Sequence, residues 1–249
     1  MFNFANPNGQ THSLPNTQAF LPSVGELAGG SVDTFIPSLG TVALGVPPQE
    51  KGVRPSHTLP YELHVHAVVN AATSAVVLKF GNRGGAAAVF QVRSGNPADL
   101  VRTYTVEPGK HLSDTWNVGS SYDLSVYGPN GFVRFFKGSI GSRAAALDVS
   151  AKYVNDGGGS IKSSITNLGG SQAEVSVLDA YTGNGVIRLL RPEATFEEEP
   201  SLQRFYGWYD LIVTVAGDNT FNYRLAGHVE TGRDSFSDPA LGGLVTLNG

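Results

Sequence analysis

The stretch SYDLSVYGPNGFVRFFKG, Ser121 to Gly138, decides the fold. Two apolar-rich segments, Tyr122 to Tyr127 and Phe132 to Phe136, flank the tetrapeptide Gly128-Pro129-Asn130-Gly131. Proline presets a turn φ, and Asn-Gly tolerates the positive φ that hairpin turns require. The stretch therefore reads as a β-hairpin. A second version runs from Trp208 to Gly227, WYDLIVTVAGDNTFNYRLAG. In both, Tyr-Asp-Leu enters the first strand, an Asn-containing turn follows, and an aromatic and basic strand ends in Gly. The hairpin closes a unit that the chain uses twice.

Upstream of the hairpin the pattern is that of strands. Tyr61, Leu63, Val65, Ala67 and Val69 alternate with Glu62, His64 and His66, as a half-buried strand requires. Further strand-like runs are Ala75 to Gly81, Ala87 to Arg93, Val101 to Glu107 and His111 to Trp116, separated by turns rich in Gly, Asn and Pro. Seven short strands in about 80 residues, with no helical period, predict a β-sandwich. The order then repeats. Leu63 answers to Leu147, Asn82-Arg83-Gly84-Gly85 to Asn167-Leu168-Gly169-Gly170, Tyr122-Asp123-Leu124 to Tyr209-Asp210-Leu211, and Gly138 to Gly227. The offset grows slowly along the chain, as loop insertions between duplicated units produce.

The expected fold is all-β: two tandem immunoglobulin-like or C2-like β-sandwiches, over 59–141 and 142–232, preceded by an extended irregular segment over 1–58. That first segment is broken by Pro7, Pro15, Pro22, Pro37, Pro47, Pro48 and Pro55 and holds no sustained period. Its apolar residues (Phe2, Phe4, Phe20, Leu21, Phe35, Ile36) favour a strap over a disordered arm. The tail over 233–249 is Gly- and Ser-rich and is expected along the surface.

Composition narrows the function. Charged residues make up only 15% of the chain and the net charge is −4. Up to residue 140 there are 9 basic and 8 acidic residues, and beyond it 8 and 13. Neither part carries the basic stripe that a phosphate backbone would need, so nucleic acid is excluded as a partner. There is no Cys, hence no disulfide or thiol chemistry. No apolar run reaches the roughly 18 residues of a membrane span. The start, MFNFANPNGQTHSLPN, lacks the basic and apolar regions of a signal peptide, so export would need a signal further upstream.

Catalytic patterns are scarce. His64 and His66 share one strand face, as two metal ligands could, yet no third ligand is placed to join them, and an exposed polar face is the simpler reading. His12, His57, His111 and His228 are isolated and are expected at the surface. No G-x-S-x-G turn occurs. Asp156 and Asp218 are the better candidates for an oxygen-ligated Ca²⁺ at a loop end, against plain turn residues. Glu197-Glu198-Glu199 suits a solvated edge. Gly84-Gly85 and Gly157 to Gly159 lack the strand–helix setting of a phosphate loop. No pattern implies a cofactor.

The aromatic residues carry more. Phe132, Phe135 and Phe136 interleave with Arg134 and Lys137, and Phe205, Tyr206 and Trp208 cluster in the second unit. With a period of 2, Phe135 and Phe136 face opposite ways, so one is core and the other is exposed or covered by a neighbour. Aromatics beside basic groups can seat at a lipid interface. The competing reading is core packing plus a domain contact.

Four segments together resemble the C-terminal region of bacterial phosphocholine-specific phospholipase C: GVRPSHTLPYELHVHA (Gly52 to Ala67), FGNRGGAAAVFQVR (Phe80 to Arg93), RTYTVEPGKHLSDTW (Arg102 to Trp116) and YDLSVYGPNGFVRFFKG (Tyr122 to Gly138). FNFANPN (Phe2 to Asn8) and PQEKGVRP (Pro48 to Pro55) resemble the stretch that leaves that family's catalytic domain. The likeness is looser in the second unit, where GPNGF has become Gly217-Asp218-Asn219-Thr220-Phe221. The resemblance implies two β domains following a catalytic domain upstream, and secretion from a bacterium. It also implies no catalytic or metal residue in this chain. Its expected partners are the catalytic domain, a phospholipid surface, or a secretion chaperone or subunit. A structural docking module and a carbohydrate-binding sandwich are the alternatives.

Overall fold

The computed structural model describes residues 52–142, 146–154 and 159–241. A short lead-in strand, β1 (Pro55–Ser56), precedes the first repeat. That repeat comprises β2 (Leu63–Asn70), β3 (Ala75–Asn82), β4 (Ala88–Ser94), β5 (Arg102–Val106), β6 (His111–Asn117), β7 (Ser121–Tyr127) and β8 (Val133–Ser139). The second repeat has the same series: β9 (Leu147–Val154), β10 (Ser160–Asn167), β11 (Ala173–Asp179), β12 (Gly185–Leu190), β13 (Thr195–Glu198), β14 (Trp208–Val215) and β15 (Asp218–His228). A last strand, β16 (Ser235–Phe236), pairs antiparallel with β1.

In each repeat three strands form one layer and four the other. The three-stranded sheets run β2-β3-β6 and β13-β10-β9. The four-stranded layers are not separate, because β8 pairs with β15 and joins them into a single sheet of order β12-β11-β14-β15-β8-β7-β4-β5. Two sandwiches share one eight-stranded wall. This removes two bare sheet edges that tandem independent domains would have had to protect.

The register of that joint is symmetric. Tyr223 pairs with Phe136, Arg224 with Phe135 and Leu225 with Arg134. Under the correspondence that sets Gly138 against Gly227, Phe135 and Arg224 are equivalent positions. A pseudo-two-fold axis therefore passes through the Phe135–Arg224 pair, as in an isologous dimer.

Each repeat carries the same two anchoring devices. Asn82 is buried and its Nδ2 donates to the Ala86 and Val106 carbonyls, while its Oδ1 accepts from the Gly84 amide. Asn167 is equally buried, and it bonds Ser171, Leu190 and Gly169 in the same way. Each side chain satisfies backbone groups that the turn would leave orphaned. Across each closing hairpin, Tyr122 lies opposite Gly138 and Tyr209 opposite Gly227. A β-carbon on either glycine would run into its tyrosine ring, so the glycines make room for the phenol.

The growth in offset has a physical location. A 3-10 turn, Gln203–Phe205, is inserted before β14, and the second hairpin is lengthened by the bulged pair Val215–Asp218. In the first hairpin Asn130 and Gly131 sit at φ of 58° and 68°, as the tetrapeptide predicts.

Candidate functional site

The hairpin strand β8 divides its side chains by parity. Phe132, Arg134 and Phe136 point inward and are at most 2% exposed; Phe135 is half-buried and Lys137 exposed on the other face. Folding gives the inward three no surface to offer a lipid or a partner. Their work is in the seam between repeats. Arg134 donates from Nη1 to the carbonyls of Val133 and Ala226, and from Nη2 to the Tyr209 hydroxyl at 2.8 Å. Its guanidinium also lies 4.2 Å from the Phe132 ring centroid. Tyr209 meets Tyr153 through their hydroxyls. At the pseudo-symmetric position, the Tyr122 and Tyr223 hydroxyls are 2.9 Å apart. Burial pushes the Tyr122 phenol up to about 12 and that of Tyr223 well above its ordinary value, so both stay neutral.

A second seam contact joins the smaller sheets. His66 on β2 is hydrogen-bonded to Asp148 on β9, and the His64 ring meets Tyr153 edge-on at 5.2 Å. The His66 bond is the first cause holding the Asp148 carboxyl below its usual range. Burial lowers the His64 pKa against the raising effect of Glu62. The two histidines thus serve the seam, and among the described residues no group of three or more His, Cys, Asp or Glu side chains could hold a metal.

The outer face of the eight-stranded sheet presents Phe135 at its centre. Tyr127 packs edge-on against it at 5.8 Å and the Arg224 guanidinium lies 6.0 Å from its centroid. Arg224 is in turn paired with Asp210, and Lys137 with Asp123 at 3.0 Å. Val89, Ile187 and Leu189, more than half exposed, extend the apolar character toward both edges. At about 4.8 Å per strand the face is roughly 34 Å wide.

The aromatic cluster of the second repeat divides too. Phe205 is buried and stacks on Tyr181. Tyr206 is 40% exposed and lies against Phe236 of β16. Trp208 is half-buried over His228, and its Nε1 donates to the Phe236 carbonyl. His228, expected at the surface, is in fact buried, with Nδ1 on Glu230 and Nε2 on the Tyr206 carbonyl.

Glu230 is the residue that sequence reading missed. Its carboxylate takes hydrogen bonds from the Thr58 hydroxyl, the Leu59 amide, the Asn130 side chain and His228. It ties the lead-in segment, the first hairpin turn and the end of the second repeat together. Burial works to raise its pKa, but the bonds from His228, Leu59 and Thr58 carry it below the usual carboxylate range. An isolated Glu after a strand end carries no pattern that would have found it. Residues 52–58, expected within an irregular strap, are thus held by β16 and Glu230, and residues 235–236 of the expected tail are a strand. Asp218, weighed as a cation ligand against a plain turn residue, caps its own turn, accepting from the Thr220 and Phe221 amides. Asp156 and His12 lie outside the described residues.

A tandem all-β region with a buried, symmetric seam is the class that this geometry defines. The chain belongs to the family described as bacterial phospholipase C, C-terminal domain, which matches residues 55–139 and again 142–228, one match per repeat. The non-hemolytic phospholipase C of Burkholderia pseudomallei is 40% identical over 250 residues, covering 96% of this chain and 34% of that protein. Its namesake in Pseudomonas aeruginosa is 36% identical over 99% of this chain and 36% of its own length. The hemolytic phospholipase C of the same organism is 38% identical over 79% of this chain and 30% of its own length. The chain therefore spans about a third of the curated relatives it matches.

Proposed function

We propose that this chain is the non-catalytic accessory region of a secreted, phosphocholine-specific phospholipase C, the parent enzyme hydrolysing phosphatidylcholine or sphingomyelin. In this reading the fused sandwiches pack on the catalytic domain and help present it to the lipid surface. The observation that carries it is the outer face of the eight-stranded sheet. There Phe135 and Tyr127 sit beside the paired Lys137–Asp123 and Arg224–Asp210, with the Arg93 guanidinium over the Tyr127 ring at 5.9 Å, so the face offers aromatic surface among mostly paired charges and one further cation. Of the eight residues singled out in the sequence, Phe135, Lys137, Tyr206 and the half-buried Trp208 retain surface for this role. Co-sedimentation of the chain with phosphatidylcholine–sphingomyelin vesicles at low salt tests the lipid contact. Binding should fall at least threefold in Phe135→Ser, whose effect on stability should stay within about 1 kcal/mol. No sedimentation of the unaltered chain rejects the lipid contact.

A second reading is a docking module without lipid contact, taking its catalytic domain, a secretion chaperone or a subunit on the same face. The inward position of Phe132, Arg134, Phe136 and Phe205 favours it, since half the aromatic and basic set goes to internal packing. It predicts that Phe135→Ser weakens capture of the separately produced catalytic domain and leaves vesicle sedimentation unchanged.

A further inference from the structure

The pseudo-two-fold axis relates two ends of the seam that are finished differently. At one end Trp208 fills the space beside the first hairpin turn, where a β-carbon on Gly131 would come within 2.6 Å of the indole. Asn130 of that turn is bound by Glu230, and the β1–β16 ribbon closes over the indole through the Phe236 carbonyl. At the other end the position equivalent to Trp208 is Ser121, Gly131 is replaced by Thr220, and Asn130 by Asn219. Among the described residues no paired ribbon closes over that end. What remains is a cleft of about 710 Å³, to which Asp99, Asn117, Ser121, Asp123, Lys137 and Asn219 contribute.

The lining sets the chemistry of an occupant. The Asp123 charge is matched by Lys137 at 3.0 Å. That leaves Asp99 as an acceptor, while the side chains of Asn117 and Asn219 have no hydrogen-bond partner among the described residues. Each amide offers donors and an acceptor within one group. The net charge of the lining is negative by one, which disfavours an anion such as a phosphate. The volume lies in the range of small-molecule sites, about 300–1,000 Å³, and Val118 and Tyr122 add apolar surface beside the polar groups, as the carbon face of a sugar ring would need. Vicinal hydroxyls, donating to the carboxylates and pairing with the amides, match this set. We propose that the Ser121–Asn219 cleft binds a neutral carbohydrate, a mono- or disaccharide, held by hydrogen bonds. The inference does not depend on the phospholipase reading.

The test uses the full chain and saturation-transfer NMR with a panel of neutral mono- and disaccharides at millimolar concentration. At least one sugar should give a signal. The signal should drop at least tenfold in the double variant Ser121→Trp/Thr220→Gly, which rebuilds the indole-filled end. It should drop likewise in Asn117→Ala/Asn219→Ala, which keeps the cleft open and changes only exposed side chains. Melting temperatures report folding for both, and the second pair decides if the first does not fold. No signal from any sugar overturns the proposal. So does a signal that survives the asparagine substitutions, because binding would then lie elsewhere.

Discussion

The first and second repeats solve one packing problem with two sets of side chains. Where the second repeat sends Tyr223 into the seam, the first sends Arg134, although both stand opposite the tyrosine of a Tyr-Asp-Leu strand. A phenol meeting a phenol needs one hydrogen bond to be satisfied. A guanidinium carries five donors, and here three of them go to two carbonyls and a hydroxyl, with an aromatic ring against its plane. The backbone symmetry is thus kept while the seam chemistry becomes one-directional. By contrast, Asn82 and Asn167 have identical partners, because a turn that orphans three backbone groups admits few substitutes.

The seam difference gives the largest expected effect. Arg134→Leu should cost roughly 4 kcal/mol in urea unfolding, since it strips charge-assisted bonds from buried acceptors. Arg134→Tyr, which copies the Tyr223 side of the axis, should cost less than half as much. Equal losses would break the claim that the two positions are equivalent. Next come the shared anchors. Asn82→Ala and Asn167→Ala should each cost about 2–3 kcal/mol. A difference above about 1 kcal/mol, beyond the usual spread for surface sites, would mean that the repeats are not equivalent at their turns.

The smallest and most gradual effect is with pH. His64 has its pKa lowered in the folded chain, so the unfolded chain binds the extra proton first and stability begins to fall as pH drops below 6.5. Glu230 and Asp148 are depressed carboxylates, whose contribution is present above the ordinary values of 4.5 and 3.8 and is lost as pH falls through their folded values. Melting temperature against pH should therefore decline in two steps, and Glu230→Gln should flatten the more acidic one. An unchanged acid limb would remove Glu230 from its place as the tie between the lead-in segment and both repeats.

Most of the fold was legible because strand parity and turn chemistry are local. Tyr61 to Val69, Ala75 to Gly81 and the Gly128–Gly131 turn needed only their own residues to be read, and the recurrence of Asn-x-Gly-Gly and Tyr-Asp-Leu disclosed the duplication. The same parity showed that Phe135 and Phe136 must part. Which of them would be buried depended on which face of β8 met the core, and parity is silent on that. Arg134 looked like a surface cation beside aromatics, since nothing nearby in sequence announces the Ala226 carbonyl and the Tyr209 phenol of the other repeat. Glu230 was invisible for the same reason, its partners lying up to 172 residues away, and His228 is buried through its bonds to that same Glu230 and to the Tyr206 carbonyl.

By itself the amino-acid sequence determined the all-strand class, the two-fold repetition and the hairpin turns. These follow from backbone conformational preference and from periodicity, which act over a few residues. Only the tertiary structure decided that the repeats share one wall through β8 and β15, that Arg134 belongs to a buried seam, and that one end of the seam is closed by an indole while the other stays open. Edge pairing and burial are set by which surfaces meet in space, and a sequence states that relation nowhere along its length.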